Sequence, residues 1–118
     1  MSYFSEKELS CQHCGKYKFD KEFLELLNQI RVDCGFPLPV SSGYRCPEHP
    51  IEAAKSVAGA HSSGKAVDIA VSGREAHKLL KVAMSAGIPR IGVNQKGDRR
   101  FIHLDWDGSL PTPSIWSY

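Results

Sequence analysis

Two histidines and one aspartate lie in segments that a folded chain can bring together. His61 belongs to the loop SVAGAHSSG, Asp68 lies in the segment KAVDIAVS that follows, and Gly64 lets the chain turn between them. His103 lies much later, in the segment RFIHLDWD. Two imidazoles and one carboxylate are a ligand set of catalytic zinc sites, which keep the fourth tetrahedral position for water. These residues therefore predict a catalytic metal site.

The surroundings of Asp68 favour this interpretation over the alternative that the residues have no special role. Ala66 and Ala70 share its side of the strand and leave open space above it. A carboxylate buried there without a partner would cost on the order of several kcal/mol, so it requires a cation. A histidine such as His103 is, by itself, more often an ordinary strand residue than a ligand. The prediction therefore depends on the side chains converging.

Asp105 is the first candidate for proton transfer. It follows His103 by two residues in an alternating segment, so both side chains point to the same face. A carboxylate there can take a proton from an activated water and pass it to the leaving amine. The alternative is that Asp105 accepts a hydrogen bond from a histidine ligand and fixes its tautomer. Asp98 and Asp107 are weaker candidates for the general base.

Arg45 is the candidate for substrate binding and for stabilising charge. It follows a Ser-Gly turn in SSGYRCPEHP, where a guanidinium can grip a carboxylate or a polarised carbonyl oxygen. The alternative is a surface arginine without a role in the site. Ser42 and Tyr44, on either side of the turn, either contact the substrate or shape the turn.

Hydrophobic spacing and capping residues predict the elements that must position these side chains. Phe23, Leu27 and Ile30 recur at helical spacing after the N-cap residue Asp20, which predicts a helix that ends at Gly35. KAVDIAVS and RFIHLDWD alternate and predict strands. The other predicted elements are a short helix opened by the Ser5–Glu8 capping box, an edge strand at 38–42, a brief helix at 50–55, a helix from the Ser72–Glu75 capping box to Ser85, a strand at 90–93, a turn at 95–98 and an irregular tail from Gly108.

The alternating segments place apolar side chains on one face and the candidate site residues, Asp68 and His103, on the other. Together with two main helices, this pattern predicts an α+β fold in which the helices pack on a small, largely antiparallel sheet. The 118 residues are predicted to form a single domain, 1–118. Trp106 is expected on the apolar face. Trp116 and Tyr118 either form a surface on which sugars stack or, as we expect, cover the core.

The cysteines leave two interpretations open. Cys11 and Cys14 form a C-x-x-C pair, which is half of a structural zinc site. No secretory signal is visible in MSYFSEKELS, which argues against a disulfide framework. A lone C-x-x-C is a weak signal, so we expect reduced thiols with packing roles and keep a second, structural ion at Cys11 and Cys14 as the alternative. Further ligands for such an ion would come from Cys34, Cys46, His13 or His49.

Charge and hydropathy exclude two classes of partner. The net charge is +2, and Arg99 and Arg100 form the only adjacent pair of arginine or lysine residues, which is too little for a nucleic-acid-binding surface. No apolar stretch is long enough for a transmembrane helix. We therefore expect neither nucleic acid nor a membrane as a partner, and nothing in the sequence indicates more than a monomer.

Three motifs occur in the order in which a known enzyme family has them. They are VSSGYRCPEH, GAHSSGKAVDIAV and FIHLDWD, and YFSEKELSC, the helix leading to GFPLPV and the ending PSIWSY fit as well. The chain thus resembles the D-alanyl-D-alanine carboxypeptidase family of zinc peptidases, in particular its small phage and prophage endolysin-type members. That family includes vancomycin-resistance dipeptidases and shares its fold with the hedgehog signalling domain. The resemblance spans nearly the whole chain.

The resemblance implies one catalytic zinc ion held by His61, Asp68 and His103, with Arg45 binding and polarising the substrate. It further implies hydrolysis of a peptide bond in bacterial peptidoglycan, by a D,D-carboxypeptidase or an endopeptidase of phage lytic type that acts on the stem peptide. Because no signal peptide is visible, we expect synthesis in the cytoplasm and action on the cell wall after release or as a virion component.

The chain departs from the family pattern at one position. Many relatives place the catalytic acid three residues before the final histidine ligand, where this chain has Arg100. The H-x-D form of His103 and Asp105 looks like that of the small phage members, so Asp105 is the expected replacement. The departure also permits a zinc-bearing wall-binding module without activity. A third hypothesis is a small module with zinc at Cys11 and Cys14 that contacts nucleic acid or protein, and the weak charge argues against it.

Overall fold

Three helices and five strands occur in the residues that this computed structural model describes, 2–46 and 60–118. The helices are α1 (Glu6–Leu9), α2 (Lys21–Cys34) and α3 (Gly73–Ser85). The strands are β1 (Val40–Ser42), β2 (Ala66–Ile69), β3 (Arg90–Asn94), β4 (Phe101–Asp105) and β5 (Ser114–Ser117). A short 3-10 helix, Ala60–Ser63, precedes β2. Within these ranges, no helix is long and apolar enough to cross a membrane.

Side-chain caps begin the first two helices as predicted. Ser5 accepts a hydrogen bond from the N–H of Glu8 (3.1 Å), and the Glu8 carboxylate accepts one from the N–H of Ser5 (2.9 Å). Asp20 accepts a hydrogen bond from the N–H of Phe23 (2.9 Å) at the start of α2. Gly35 ends this helix in the left-handed region, with φ +78°.

The third helix has the predicted bounds but not the predicted cap. The Ser72 side chain makes no cap hydrogen bond, so the capping box expected with Glu75 is wrong. The backbone closes the first turn instead, since the N–H of Ala76 donates to the carbonyl of Ser72 (3.3 Å). The brief helix expected at 50–55 lies outside the described residues.

The sheet has the order β1-β2-β4-β3-β5. Neighbouring strands are antiparallel except β3 and β5, which run parallel. The strand with Pro39 just before it, β1, is an edge strand as predicted. The fold is therefore α+β, with helices packed on a mostly antiparallel sheet.

The tail contains a strand that its sequence pattern did not predict. Ser114–Ser117 pairs with β3 along its whole length, with Trp116 opposite Gly92. The expectation of an irregular tail is therefore wrong for these residues. The reason is tertiary: β3 offers an edge of backbone hydrogen-bonding groups, and a short segment preceded by two prolines can pair with that edge without a strong strand pattern of its own.

The main core lies between the sheet and the helices α2 and α3. The alternating segments turn their apolar residues to it as predicted, and Trp106 packs against Phe23 with ring centroids 5.4 Å apart. The opposite face of the sheet is left for Asp68 and His103. The buried core side chains from the sheet and the main helices include Phe23, Leu27, Ile30, Cys34, Val67, Ile69, Leu79, Ala83, Ile91, Ile102 and Leu104.

Candidate metal centre

A row of paired residues crosses the sheet on the face opposite the helices. Ser42 pairs with Asp68, Asp68 with His103, His103 with Gly92, and Gly92 with Trp116. Residues paired across strands point to the same side of a sheet. The register therefore places the predicted ligands Asp68 and His103 next to each other in the middle of the sheet.

The third predicted ligand, His61, reaches this row from the short 3-10 helix before β2. Its Nε2 lies 3.2 Å from Asp68 Oδ1 and 3.2 Å from His103 Nδ1, and those two atoms lie 2.9 Å apart. Ligands bonded to a tetrahedral zinc ion at about 2.0–2.1 Å are themselves about 3.3 Å apart. The donor atoms thus have nearly the spacing that zinc requires, and their types fit it. All of these side chains are buried.

The remote nitrogens of both histidines are also engaged. His61 Nδ1 lies 2.7 Å from the carbonyl oxygen of Gly43, and His103 Nε2 lies 2.6 Å from Asp105 Oδ2. Each oxygen accepts a hydrogen bond, so the proton of each neutral ring is held on the side away from the cluster. Such partners fix the tautomer and orientation of a metal ligand.

Polar contacts outweigh burial in setting the pKa values of Asp68 and His103. Burial by itself raises the pKa of Asp68, but its close contacts with the imidazoles of His103 and His61 hold that pKa well below its usual range. Burial lowers the pKa of His103, but hydrogen bonds to Asp105 and Asp68 raise it above its ordinary value. Protonation of His103 therefore competes with metal binding at Nδ1, so zinc binding is expected to weaken as the pH falls.

Asp105 lies behind His103, not in front of the ligand atoms. Its side chain is 0% exposed, and its second oxygen lies 2.8 Å from Arg90 Nε and accepts a hydrogen bond from the N–H of Asp107 (3.2 Å). The Arg90 Nε–H does not align for a hydrogen bond, so the contact with Asp105 is an ion pair. This geometry favours the alternative in which Asp105 orients a histidine ligand over the role of general base.

Arg90 and Trp116 lie beside the cluster, where the sequence pattern assigned no role to Arg90 and left Trp116 only the alternatives of sugar stacking or covering the core. Trp116 packs against His103 with ring centroids 5.2 Å apart, and the Arg90 guanidinium lies 4.8 Å from the centre of the Trp116 ring. Gly92 makes this possible, because a Cβ there would lie 2.6 Å from Trp116 Nε1. The expectation that Trp116 covers the core is therefore wrong. Only the pairing of β5 with β3 reveals its position, since the tail itself carries no strong strand pattern.

Arg45 lies beside the cluster. Its Nη2 is 3.4 Å from Asp68 Oδ2, on the oxygen that does not face the histidines. Its Nε donates to the hydroxyl of Ser42 (3.1 Å), so Ser42 orients the guanidinium. The Arg45 side chain is 13% exposed, which leaves part of it accessible from the cleft.

Tyr44 points elsewhere. It is 6% exposed and packs with Cys11 and Cys46 in a small cluster apart from the main core. Its N–H donates to the carbonyl of Leu9 (2.9 Å). These contacts favour the alternative in which Tyr44 shapes the turn, and its predicted role in substrate binding has no support from its position.

The remaining acidic candidates differ in position. Asp98 is exposed and lines a cavity of about 470 Å³ together with Arg45 and Asp68. Asp107 is buried and accepts hydrogen bonds from the hydroxyl (2.6 Å) and N–H (3.0 Å) of Ser109. Bonds between residues so close in sequence are typical of an aspartate that stabilises a turn. Arg100, at the usual position of the catalytic acid, is exposed and donates to the carbonyl of Gly97.

Gly64 is expected to be essential for the loop that carries His61. Its φ is +75°, and a Cβ there would overlap the carbonyl oxygen of Lys18. We predict that Gly64→Ala lowers the free energy of unfolding by more than about 2 kcal/mol, through left-handed strain and overpacking together. Gly73→Ala is the matched control, since φ is +57° with nothing within 4 Å, and we expect a loss of about 1 kcal/mol. Equal losses in urea denaturation would contradict the predicted overlap.

Comparison with known protein families assigns this chain to a family. The family model described as Peptidase M15 matches residues 2–105. The chain belongs to the peptidase M15 family. Comparisons with curated proteins and with solved structures gave no significant match.

Membership in the M15 family and the geometry of the cluster agree. M15 peptidases are zinc-dependent, which makes this chain a metallopeptidase by family, and His61, Asp68 and His103 are the buried group that can hold the ion. The match includes Arg45, Arg90 and Asp105 but ends before β5. Trp116 thus lies outside the residues that the family model matches.

Proposed function

We propose that this M15 chain is a zinc-dependent peptidase that hydrolyses a peptide bond in bacterial peptidoglycan, as a D,D-carboxypeptidase or an endopeptidase of phage lytic type. The observation that carries the proposal is the convergence of three ligand atoms within 2.9–3.2 Å of one another, beside a partly accessible arginine. Three protein ligands leave one tetrahedral position open, as in catalytic zinc sites. The choice of peptidoglycan rests on the resemblance of the ordered motifs to D-alanyl-D-alanine carboxypeptidases.

Two adjoining cavities beside the ligand cluster provide room for an extended substrate. Two cavities, of about 550 Å³ and about 470 Å³, share Arg45, Asp68 and Phe101 in their walls. A stem peptide lying through both would pass over the ligand cluster and beside the guanidinium. A cavity of about 610 Å³ lies against α3, but none of the site residues line it.

The residues of the chain have separate tasks in the proposed reaction. A bound zinc ion would supply Lewis-acid polarisation of the scissile carbonyl and an activated water. Arg45 binds a substrate carboxylate or stabilises negative charge that develops on the carbonyl oxygen. Ser42 holds Arg45 in place, and Trp116 excludes water from one side of His103.

Asp105 is proposed as a positioning residue. It accepts a hydrogen bond from Nε2 of His103, which leaves Nδ1 turned towards His61 and Asp68, and Arg90 forms an ion pair with its other oxygen. Asp98, which lines the adjoining cleft, is then the alternative proton acceptor among the described residues.

The proposal is tested by digesting purified peptidoglycan with the zinc-loaded protein and analysing the products by mass spectrometry. Release of D-alanine would identify a carboxypeptidase, and a cut within the stem or cross-link would identify an endopeptidase. Protein stripped of zinc by a chelator is the control, and we expect activity to return when zinc is added. Binding to the wall without any cleavage would contradict the proposed peptidase activity and favour the inactive wall-binding module. The observation that supports this alternative is Arg100 at the usual position of the catalytic acid.

The remaining expectations about this chain are proposals of the same kind. We propose that it acts as a monomer, on the cell wall after release or as part of a virion, and that neither nucleic acid nor a membrane is its partner. The net charge of +2 and the scattered basic residues support the exclusion of nucleic acid.

A further inference from the structure

A second group of metal-type side chains lies away from the centre that His61, Asp68 and His103 form. The thiol sulfurs of Cys11, Cys14 and Cys46 all lie within 4.8 Å of one another. Cys11 and Cys46 are buried, and Cys14 is exposed. The sulfurs of Cys11 and Cys46 are 3.6 Å apart, far beyond the roughly 2.05 Å of a disulfide bond. Thiolates on a tetrahedral zinc ion at about 2.3 Å would be about 3.8 Å apart, close to this separation.

The backbone around the C-x-x-C pair is arranged to receive a thiolate. The sulfur of Cys11 accepts a hydrogen bond from the N–H of Cys46 (3.3 Å), and the N–H groups of Cys14 and His13 also point to it. The chain turns back directly after the pair, because the N–H of Gly15 donates to the carbonyl of Cys11 (2.8 Å) with φ +75° at the glycine. Hydrogen bonds of this kind favour the charged form of a sulfur, which is the form that binds a metal.

We infer that Cys11, Cys14 and Cys46 form a second, structural zinc site, in addition to the centre formed by His61, Asp68 and His103. The donor set is soft, and thiolates are the ligands that structural zinc sites prefer. Cys34 takes no part, since it lies in the main core as a packing residue. Of the further ligands considered for such an ion, His49 lies outside the described residues, and the three thiols are the donors that the described residues bring together.

The second site would hold the loop that carries Arg45. Cys46 follows Arg45 directly, and the N-terminal segment already contacts this loop through Tyr44 and through Gln12, whose amide donates to the carbonyl of Ser41 (2.9 Å). An ion bound by Cys11 and Cys46 would join two parts of the chain 35 residues apart. Its task is therefore to fix the turn that presents the guanidinium, not to take part in the reaction.

The experiment is a zinc count by elemental analysis on the full chain, purified under reducing conditions. We expect two zinc ions per wild-type chain, one in Cys14→Ser and one in His61→Ala. Cys14 is chosen because it is exposed, so that its loss should leave the core intact. Cys34→Ala is the matched control, which removes a thiol outside the cluster and should keep both ions.

Cobalt substitution reports the second site independently of activity. Thiolate-to-cobalt charge transfer in the near ultraviolet should appear in the wild type and in His61→Ala, and should be lost or strongly reduced in Cys14→Ser and in Cys46→Ser. A single zinc ion that is lost only in His61→Ala would overturn the second site while leaving the proposed peptidase intact. A disulfide between Cys11 and Cys46, seen as a mass two hydrogens lower without a cobalt–thiolate band, would overturn it as well.

Discussion

His61→Ala is expected to lose the zinc ion held with Asp68 and His103 and to lose peptidase activity by more than about 10²-fold. The imidazole supplies one of the ligand atoms, and its other nitrogen is hydrogen-bonded to the carbonyl of Gly43 (2.7 Å). Without it, two ligands remain, and the buried charge of Asp68 loses one of its partners. Zinc content and the digestion of peptidoglycan are measured on the same preparation.

His77→Ala is the matched control for this variant. His77 lies exposed on α3, outside the site, so the same change of residue type should leave zinc content and activity at the wild-type level. Urea denaturation of both variants in the presence of a chelator shows whether His61→Ala still folds. Full activity of a folded His61→Ala that lacks the ion held with Asp68 and His103 would contradict this metal centre as the site of the reaction.

Asp105→Asn separates the two roles considered for this carboxylate. As a positioning residue, Asp105 holds the Nε2 proton of His103 and pairs with Arg90. A neutral amide would accept a weaker hydrogen bond and leave the guanidinium without a counter-charge. We therefore expect zinc affinity to fall by about 10–100-fold, the range found for such outer partners of metal ligands, with much of the activity restored by excess zinc.

Asp98→Asn is the control variant for the zinc affinity and activity of Asp105→Asn. It removes the same charge from an exposed residue of the adjoining cleft and should leave zinc affinity unchanged. If Asp105 were the general base, Asp105→Asn would keep its zinc and still lose about 10²–10⁴-fold in kcat. Such a loss in Asp98→Asn, with zinc retained, would assign the proton acceptor to Asp98.

Local sequence patterns were sufficient to predict the framework of the fold. The caps at Ser5 and Asp20, the glycine at 35 and the alternation around Asp68 and His103 are local patterns, and they correctly predicted two helix starts, a helix end and the face of the sheet that carries the site. Alternation has a period of two, so it determines which side a strand residue takes whatever lies across from it. The convergence of His61 with these residues was expected from residue types, and the distances support it.

The contacts between particular atoms, in contrast, depend on how the folded chain brings its segments together. The pairing of Asp105 with Arg90, the parallel strand that lays Trp116 against His103, and the approach of Cys46 to Cys11 each join segments far apart in sequence. Local spacing carries no information about strand order, about which ring nitrogen of a histidine turns towards a ligand, or about which loop lies beside the C-x-x-C pair. These three features are consequences of strand register and side-chain packing, which are established only when the whole chain has folded.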